Sequence, residues 1–375
     1  MSSSLPNSQC VNTCKSTQAK TIGIAGAGLL GRLLAWKLLQ QGYKVTLFDR
    51  GSRAAELSAA KVAASMLAPY SEVVSAERKV FDWGRMALSW WPKELAALAQ
   101  MTGQHVDFAT DGSIVIAHDL DKSSLTNFEH QLREKVPDCA EYIECIERDR
   151  LAVLEPELAE RYCGGLFLAE EGYLDNEALL HSLVLGITAL GGVWCEYTEV
   201  ERVTAGRIHL ATQQHCFDVA IDSRGMGAQA QLPALRGVRG EVLWVHAPEV
   251  SLQRPVRLMH PRYKLYISPR SGQRYVIGAT EIESESMQPV TVRSSLELLS
   301  ALYSVHSGFA EATVLHAYAH CRPAMPDNLP IIHSEPGLLR VNGLYRHGYL
   351  LSPYVVESAL KKLIDCNDLA TEINH

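Results

Sequence analysis

Three glycines, Gly26, Gly28 and Gly31, stand in G-x-G-x-x-G spacing, and an acid, Asp49, closes the apolar run that follows. Residues of these types at these intervals suit dinucleotide binding. Gly26 permits a tight turn, Gly28 lets a pyrophosphate approach the backbone, and Gly31 lets a helix pack on a strand. The N–H groups and positive dipole end of that helix would hold the phosphate anion. Asp49 can accept hydrogen bonds from a ribose, and its charge disfavours the extra phosphate of NADP. Leu30, inside the motif, and Arg50, beside the acid, belong to the same candidate cofactor site. The motif does not separate FAD from NAD.

Positioning these groups takes a strand, a helix and a second strand. Thr21–Ala25 reads as a buried parallel strand. Leu30, Leu33, Leu34 and Leu38 recur at helical spacing, with Gly42 placed to cap the helix end. Lys44–Phe48 reads as the second strand. Residues 58–69 are nearly all small, and would either let backbone approach a flat ligand or begin an Ala-rich helix. Residues 73–100 read as helical with a break before Pro92. Residues 106–117 read as two strands joined in a hairpin at Asp111-Gly112. Asp175 is a good N-cap for a helix over 174–190. Val219–Asp222 leads into a glycine turn containing Gly225, the kind of loop that closes a nucleotide-binding domain around its ligand. From Gly237 longer strands suit an antiparallel sheet. A last helix is expected over 353–366, with Pro353 in its first position.

Nucleotide-binding pieces therefore fall at the start, middle and end of the chain. The expected fold class is α/β plus α+β: a Rossmann-type domain from 21–72, 173–235 and 310–375, interleaved with an antiparallel-sheet domain from 73–172 and 236–309. At 375 residues two domains are the natural reading. A hydrophobic content of 47% with 21% charged residues is ordinary for a soluble globular chain. The net charge of −7 argues against nucleic acid or an anionic membrane surface as the main partner. Residues 1–20 are polar and Ser-rich with no apolar run, which reads as a disordered leader and not as a secretory signal. Nine cysteines, an odd number scattered over the chain, fit reduced thiols in a cytoplasm. Cys10 and Cys14 have no second ligand pair nearby, so no metal site is expected.

Several segments together resemble the D-amino-acid oxidase family of FAD enzymes, and within it the glycine oxidases of thiamine biosynthesis. They are GIAGAGLLG (23–31), AASMLAP (63–69), LEPEL (154–158), GYLDNEALL (172–180), LRGVRGE (235–241), LYISPR (265–270), VIGATEIES (276–284), CRPAMPDNLP (321–330) and NGLYRHGYLLSP (342–353). The resemblance implies FAD as the cofactor and an antiparallel domain roofing the flavin ring. It implies hydride transfer from the Cα of glycine or a similar small amino acid to flavin N5, with oxygen as acceptor. Hydrogen peroxide and an imine or 2-oxo acid would be the products. In thiamine synthesis the imine itself is the useful one.

By matched motif, Arg322 would pair with the substrate carboxylate, a task its planar fork suits. Tyr266 would help hold the same carboxylate, and Arg346 would be a second arginine near the substrate. Ala64, Ser65 and Met66 would contact the ring through backbone, and Val200 the adenine. His347, Gly348, Tyr349 and Leu350, with Arg346, fall where the family sets a helix N-terminus beside the flavin. No catalytic base is implied if the amine binds neutral. Three alternatives stay open: an enzyme modifying a partner protein, for example in maturation of a tryptophan-derived quinone cofactor; an NAD-linked dehydrogenase; and a non-catalytic flavin-binding subunit. A homo-oligomer is also compatible with the resemblance.

Overall fold

The apolar runs flanking the glycine turn form the middle of a six-stranded sheet. The computed structural model describes residues 19–260 and 264–366; the expected leader, with Cys10 and Cys14, lies almost wholly outside them. The strand order is Ile331–Glu335, Leu338–Asn342, Val219–Asp222, Thr21–Ala25, Lys44–Phe48, Val193–Cys195. Every neighbouring pair is parallel except the first, which is antiparallel. Strands buried on both faces read as continuous apolar runs, and Ile22, Ile24, Leu47 and Ile221 are fully buried. Helix Leu29–Gln40 packs on this sheet, with Leu33, Leu34 and Leu38 fully buried. Asp175 caps helix Asn176–Ala189 as its sequence suggests, its Oδ1 accepting the Ala178 N–H at 2.9 Å.

A second sheet of nine strands stands against the first. Its strands run in the order Ile282–Glu283, Arg236–His246, Arg274–Gly278, Lys264–Arg270, Val256–Met259, Ser113–Ala117, Gly164–Leu168, Ile143–Glu147, and Thr313–Ala324 pairs with Arg236–His246. Pairing is antiparallel except between Val256–Met259 and Ser113–Ala117. Its apolar face packs on helix Val292–Val305.

Three local expectations and two domain bounds are corrected. Residues 106–117 make no hairpin: Phe108–Ala109 joins a small separate sheet while Ser113–Ala117 enters the large one. Ser113–Ala117 is buried throughout, so its apolar residues are claimed by sheet neighbours on both sides. Helix Arg78–Thr102 runs through Pro92 without a break. Its face Val80, Ala87, Trp91, Leu95 and Leu98 is packed among the first sheet's helices, and that burial outweighs the lost backbone hydrogen bond. The helix thus shares the first sheet's core, although its sequence lies past the boundary drawn at 73. Thr313–Ala324 conversely belongs to the second sheet by its pairing, although it follows residue 310. The closing helix spans Gly348–Asp365, beginning five residues before the expected Pro353. Pro353 has no N–H to offer the carbonyl of Tyr349, and Trp91 Nε1 donates to that carbonyl instead, at 3.0 Å.

The seven described cysteines are all free. Among the described residues no helix is long and apolar enough to cross a membrane, and no cluster of His, Cys, Asp and Glu is arranged for a metal ion.

Candidate active site

One elongated cavity runs from the glycine turn to the underside of the nine-stranded sheet. At its first end the backbone leaves no room for side chains. A Cβ on Gly31 would lie 1.9 Å from the Gly26 carbonyl oxygen, and one on Gly26, where φ is +92°, would lie 2.6 Å from the Ser223 carbonyl oxygen. A Cβ on Gly28 would crowd the Ser58 side chain, lying 3.2 Å from its Oγ. Such a cradle fits a pyrophosphate brought up to bare backbone. Asp49 Oδ2 accepts the Ala27 N–H at 2.6 Å and Oδ1 accepts the Gly51 N–H at 2.8 Å, so the acid expected to meet a ribose also braces the glycine turn.

Beneath the turn lies Arg32, fully buried, whose role the sequence did not disclose. It donates to the carbonyls of Ala27 (2.7 Å), Leu180 (2.9 Å) and Arg53 (2.9 Å). Burial lowers its pKa to about 10, with Asp49 opposing, so it stays charged at neutral pH. Across the cavity Arg224 pairs with buried Asp222 at 2.8 Å and donates to the Val200 carbonyl at 2.7 Å. This holds Val200 and Gly225 at the cavity wall.

In the middle, Ala64, Ser65 and Met66 are fixed from behind. Arg270, fully buried, donates to the Ala64 carbonyl at 2.7 Å and to Ser65 Oγ at 3.0 Å, and its guanidinium lies over the Tyr173 and Trp244 rings. Burial lowers its pKa. Ser65 adopts a left-handed φ of +47° and donates to the Leu174 carbonyl. The N-terminus of helix Gly348–Asp365 points at the same stretch without a side-chain cap, and Tyr349 donates to the Ala60 carbonyl at 2.9 Å. Uncapped N–H groups there suit negative charge on a bound group.

At the far end Arg322 and Tyr266 meet under the large sheet. Tyr266 faces Gly278 in the ladder, and Arg322, which faces Val238, lies over Gly240 two residues along the same strand. A Cβ on Gly240 would lie 2.3 Å from Arg322 Cζ, and one on Gly278 2.9 Å from Tyr266 Oη. Arg322 donates to the Thr280 carbonyl at 3.1 Å, and among the described residues no carboxylate pairs with it. Burial raises the Tyr266 hydroxyl above its ordinary range, with the Arg322 charge opposing, so at neutral pH it is a donor. Arg346 is placed differently from a free substrate contact. Its Nε donates to Glu72 at 2.5 Å, Nη1 to Glu281 at 2.8 Å and Nη2 to Ser75 Oγ at 2.8 Å. Glu72 also takes Arg257 Nη2 at 3.0 Å. His347 Nδ1 stands 3.3 Å from Glu72, in ion-pair reach but out of line for a hydrogen bond. Burial works to raise the Glu72 carboxyl, but Arg346, His347 and Arg257 together hold it well below the usual carboxylate range.

Apart from Gly31, which packs beneath the turn, the candidate residues from the sequence all line this cavity: Gly26, Gly28, Leu30, Asp49 and Arg50 at one end, Val200 and Gly225 on the wall, Ala64, Ser65, Met66, His347, Gly348, Tyr349 and Leu350 along the middle, and Tyr266, Arg322 and Arg346 at the other end. The sequence reading missed Glu72 and Arg257, which line the cavity, and the buried Arg32 and Arg270 that brace its walls. Gly240 and Gly278 sat inside quoted motifs, but only the ladder shows what each makes room for.

A dinucleotide cradle joined by a continuous cavity to an arginine-bearing recess defines a dinucleotide-dependent oxidoreductase. The chain belongs to the DAO family of FAD dependent oxidoreductases, whose family model matches residues 21–357. It is 39% identical over 341 residues to a Rhizobium etli protein assigned to thiamine biosynthesis as the oxidoreductase ThiO, covering 91% of this chain and 95% of that one. It is 25% identical to a glycine oxidase of Geobacillus kaustophilus, covering 90% and 91%. Among solved structures, a glycine oxidase from Bacillus cereus superposes with a TM-score of 0.79 at 23% identity, over 92% of this chain and 98% of that one. The cofactor is FAD, as the family and the cradle together require, and the fold is the mixed α/β fold of these oxidases.

Proposed function

We propose that this enzyme oxidises glycine or a similarly small amino acid, with oxygen as the electron acceptor and hydrogen peroxide and an imine as products. The observation that carries this is Arg322: a guanidinium in a partly buried recess, bonded to one carbonyl and, among the described residues, to no carboxylate. A cation left in that state calls for an anionic ligand, and its planar fork matches a carboxylate. The donor hydroxyl of Tyr266 supports the same assignment. The relatives named as glycine oxidases point to the same substrate class.

Gly26, Gly28, Asp49 and Arg50 would hold the dinucleotide half of FAD, and Ala64–Met66 with Gly348–Leu350 the ring half. Bound FAD supplies the two-electron acceptor that no side chain here can provide. The protein's own part is orientation. Arg322 and Tyr266 tether the carboxylate, which fixes the adjacent carbon and amine beneath the sheet. The carboxylates at this end, Glu72 and Glu281, are ion-paired with arginines. Glu72, held well below the usual carboxylate range, accepts no proton at neutral pH, so the amine is expected to bind already neutral. The imine would then leave and hydrolyse to the 2-oxo acid and ammonia.

The test is an anaerobic panel of glycine, sarcosine, small D-amino acids and amines lacking a carboxylate, followed by flavin bleaching. Admission of oxygen should then give peroxide. Bleaching by glycine or its close analogues is the expected result. Equal bleaching by amines without a carboxylate would remove Arg322 from its role. Nothing in the described structure favours a partner protein as substrate.

A further inference from the structure

Three guanidinium groups reach the substrate end of the cavity, from Arg257, Arg322 and Arg346. Two of them share one carboxylate. Glu72 receives Arg257 at 3.0 Å through Oε1 and Arg346 at 2.5 Å through Oε2, and all three side chains are only 16% exposed. Arg346 is bound on its other edge by Glu281 at 2.8 Å. Arg257 stands opposite Tyr266 in the strand ladder, and so beside the place assigned to the substrate carboxylate. Among the described residues these three guanidinium groups face two carboxylates, and the arginine with no acid partner there is Arg322. One guanidinium of that kind matches one carboxylate.

We infer that Glu72 sets specificity: by occupying both Arg257 and Arg346 it restricts the site to amino acids with a single carboxylate and excludes those with a second. The inference rests on Arg322 being the receptor for the first carboxylate. A second carboxylate brought toward Arg257 or Arg346 would find each cation already paired. It would also approach Glu72 itself, a like charge in a partly desolvated recess, which is strongly disfavoured. Rejection of this kind comes from a repulsive element and not from lack of room. It predicts that neutralising Glu72 converts two paired arginines into a second anion site.

The experiment uses the FAD-loaded full chain and two unreactive probes, acetate and malonate, titrated against the flavin spectrum. In the native protein malonate should bind no more tightly than acetate. In Glu72→Gln the malonate-to-acetate affinity ratio should rise by about tenfold or more, as expected for one new charge-assisted contact. Adding Arg257→Met to Glu72→Gln should take most of that gain away. A Glu72→Gln enzyme that binds acetate with an unchanged ratio overturns the inference, and so does a native protein that already prefers malonate about tenfold. Should Glu72→Gln not retain FAD, Glu281→Gln frees one edge of Arg346 at a more exposed position. It should shift the ratio the same way by less, and no shift there also overturns the inference. Failure of acetate to bind the native protein, or undiminished acetate binding by Arg322→Ala, would instead remove the underlying role of Arg322, and the inference with it.

Discussion

Arg322 can reach the cavity because Gly240, two residues along the strand from its ladder partner Val238, has no side chain. Gly240→Ala would set a methyl 2.3 Å from Arg322 Cζ, and the guanidinium would have to leave its present position. Substrate binding should therefore weaken in Gly240→Ala nearly as much as in Arg322→Ala, with FAD retained in both. For Arg322→Ala the loss of one partner of a carboxylate pair should cost about 2–5 kcal/mol. It should be read as a higher amino-acid concentration for half-maximal anaerobic bleaching. Normal kinetics in Gly240→Ala would mean that Arg322 can work from elsewhere. At this scale the sequence was informative where function and local motif coincide: Arg322 and Tyr266 stand in short stretches that resemble a family. It was silent where function depends on distant partners. Glu72 and Arg257 lie 185 positions apart, and neither segment carries a sign of the other.

Elements were legible wherever one periodicity governed a segment, as in the glycine-turn helix and its flanking strands. They were misread where tertiary packing overrides a local rule, and both misread helices contain a proline. Pro92 and Pro353 each suggest a boundary, and neither makes one, because each lies in a helix whose apolar face is already claimed by the first core. At Pro353 the compensation is visible: Trp91, from the other proline-containing helix, donates to the carbonyl that Pro353 leaves without its helical partner. Trp91→Phe should then strand a buried carbonyl at the helix end that lines the cavity, costing about 1–3 kcal/mol beyond the change in packing. The check is a double-mutant cycle by thermal unfolding. Pro353→Ala restores an N–H to Tyr349, so it should recover part of the loss in the Trp91→Phe background and give little in the native one. Strict additivity of the two changes would show that the carbonyl was never the issue.

Across the whole molecule the interleaving of two sheets was legible because glycine turns and long strands alternate along the chain, but the joints between them were not. One such joint is Glu171. It is fully buried and accepts from the Ser71 N–H at 2.5 Å, Ser71 Oγ at 2.9 Å and Ser113 Oγ at 2.6 Å. It thereby ties the helix that carries Glu72 to a central strand of the large sheet. Burial pushes its pKa up from 4.5 to about 7, against the pull of the three hydrogen bonds and of Arg257. A carboxyl with a raised folded pKa keeps its proton longer in the folded chain than in the unfolded one. Its effect on stability is therefore absent below about pH 4.5, grows into a penalty between there and about pH 7, and levels off above. Glutamine is neutral at every pH and can meet the same partners, its carbonyl accepting from the Ser71 N–H and its amide donating to the two hydroxyls. Glu171→Gln should accordingly melt within a degree or so of the native protein near pH 5. Near pH 8 it should melt several degrees higher, the difference corresponding to an order of about 2–3 kcal/mol. Glu155 is also raised to about 7 by burial, but it is present in both proteins and cancels in the comparison. A melting difference that is the same at both pH values would mean that Glu171 is ionised at no greater cost folded than unfolded, and that the joint holds by its hydrogen bonds alone.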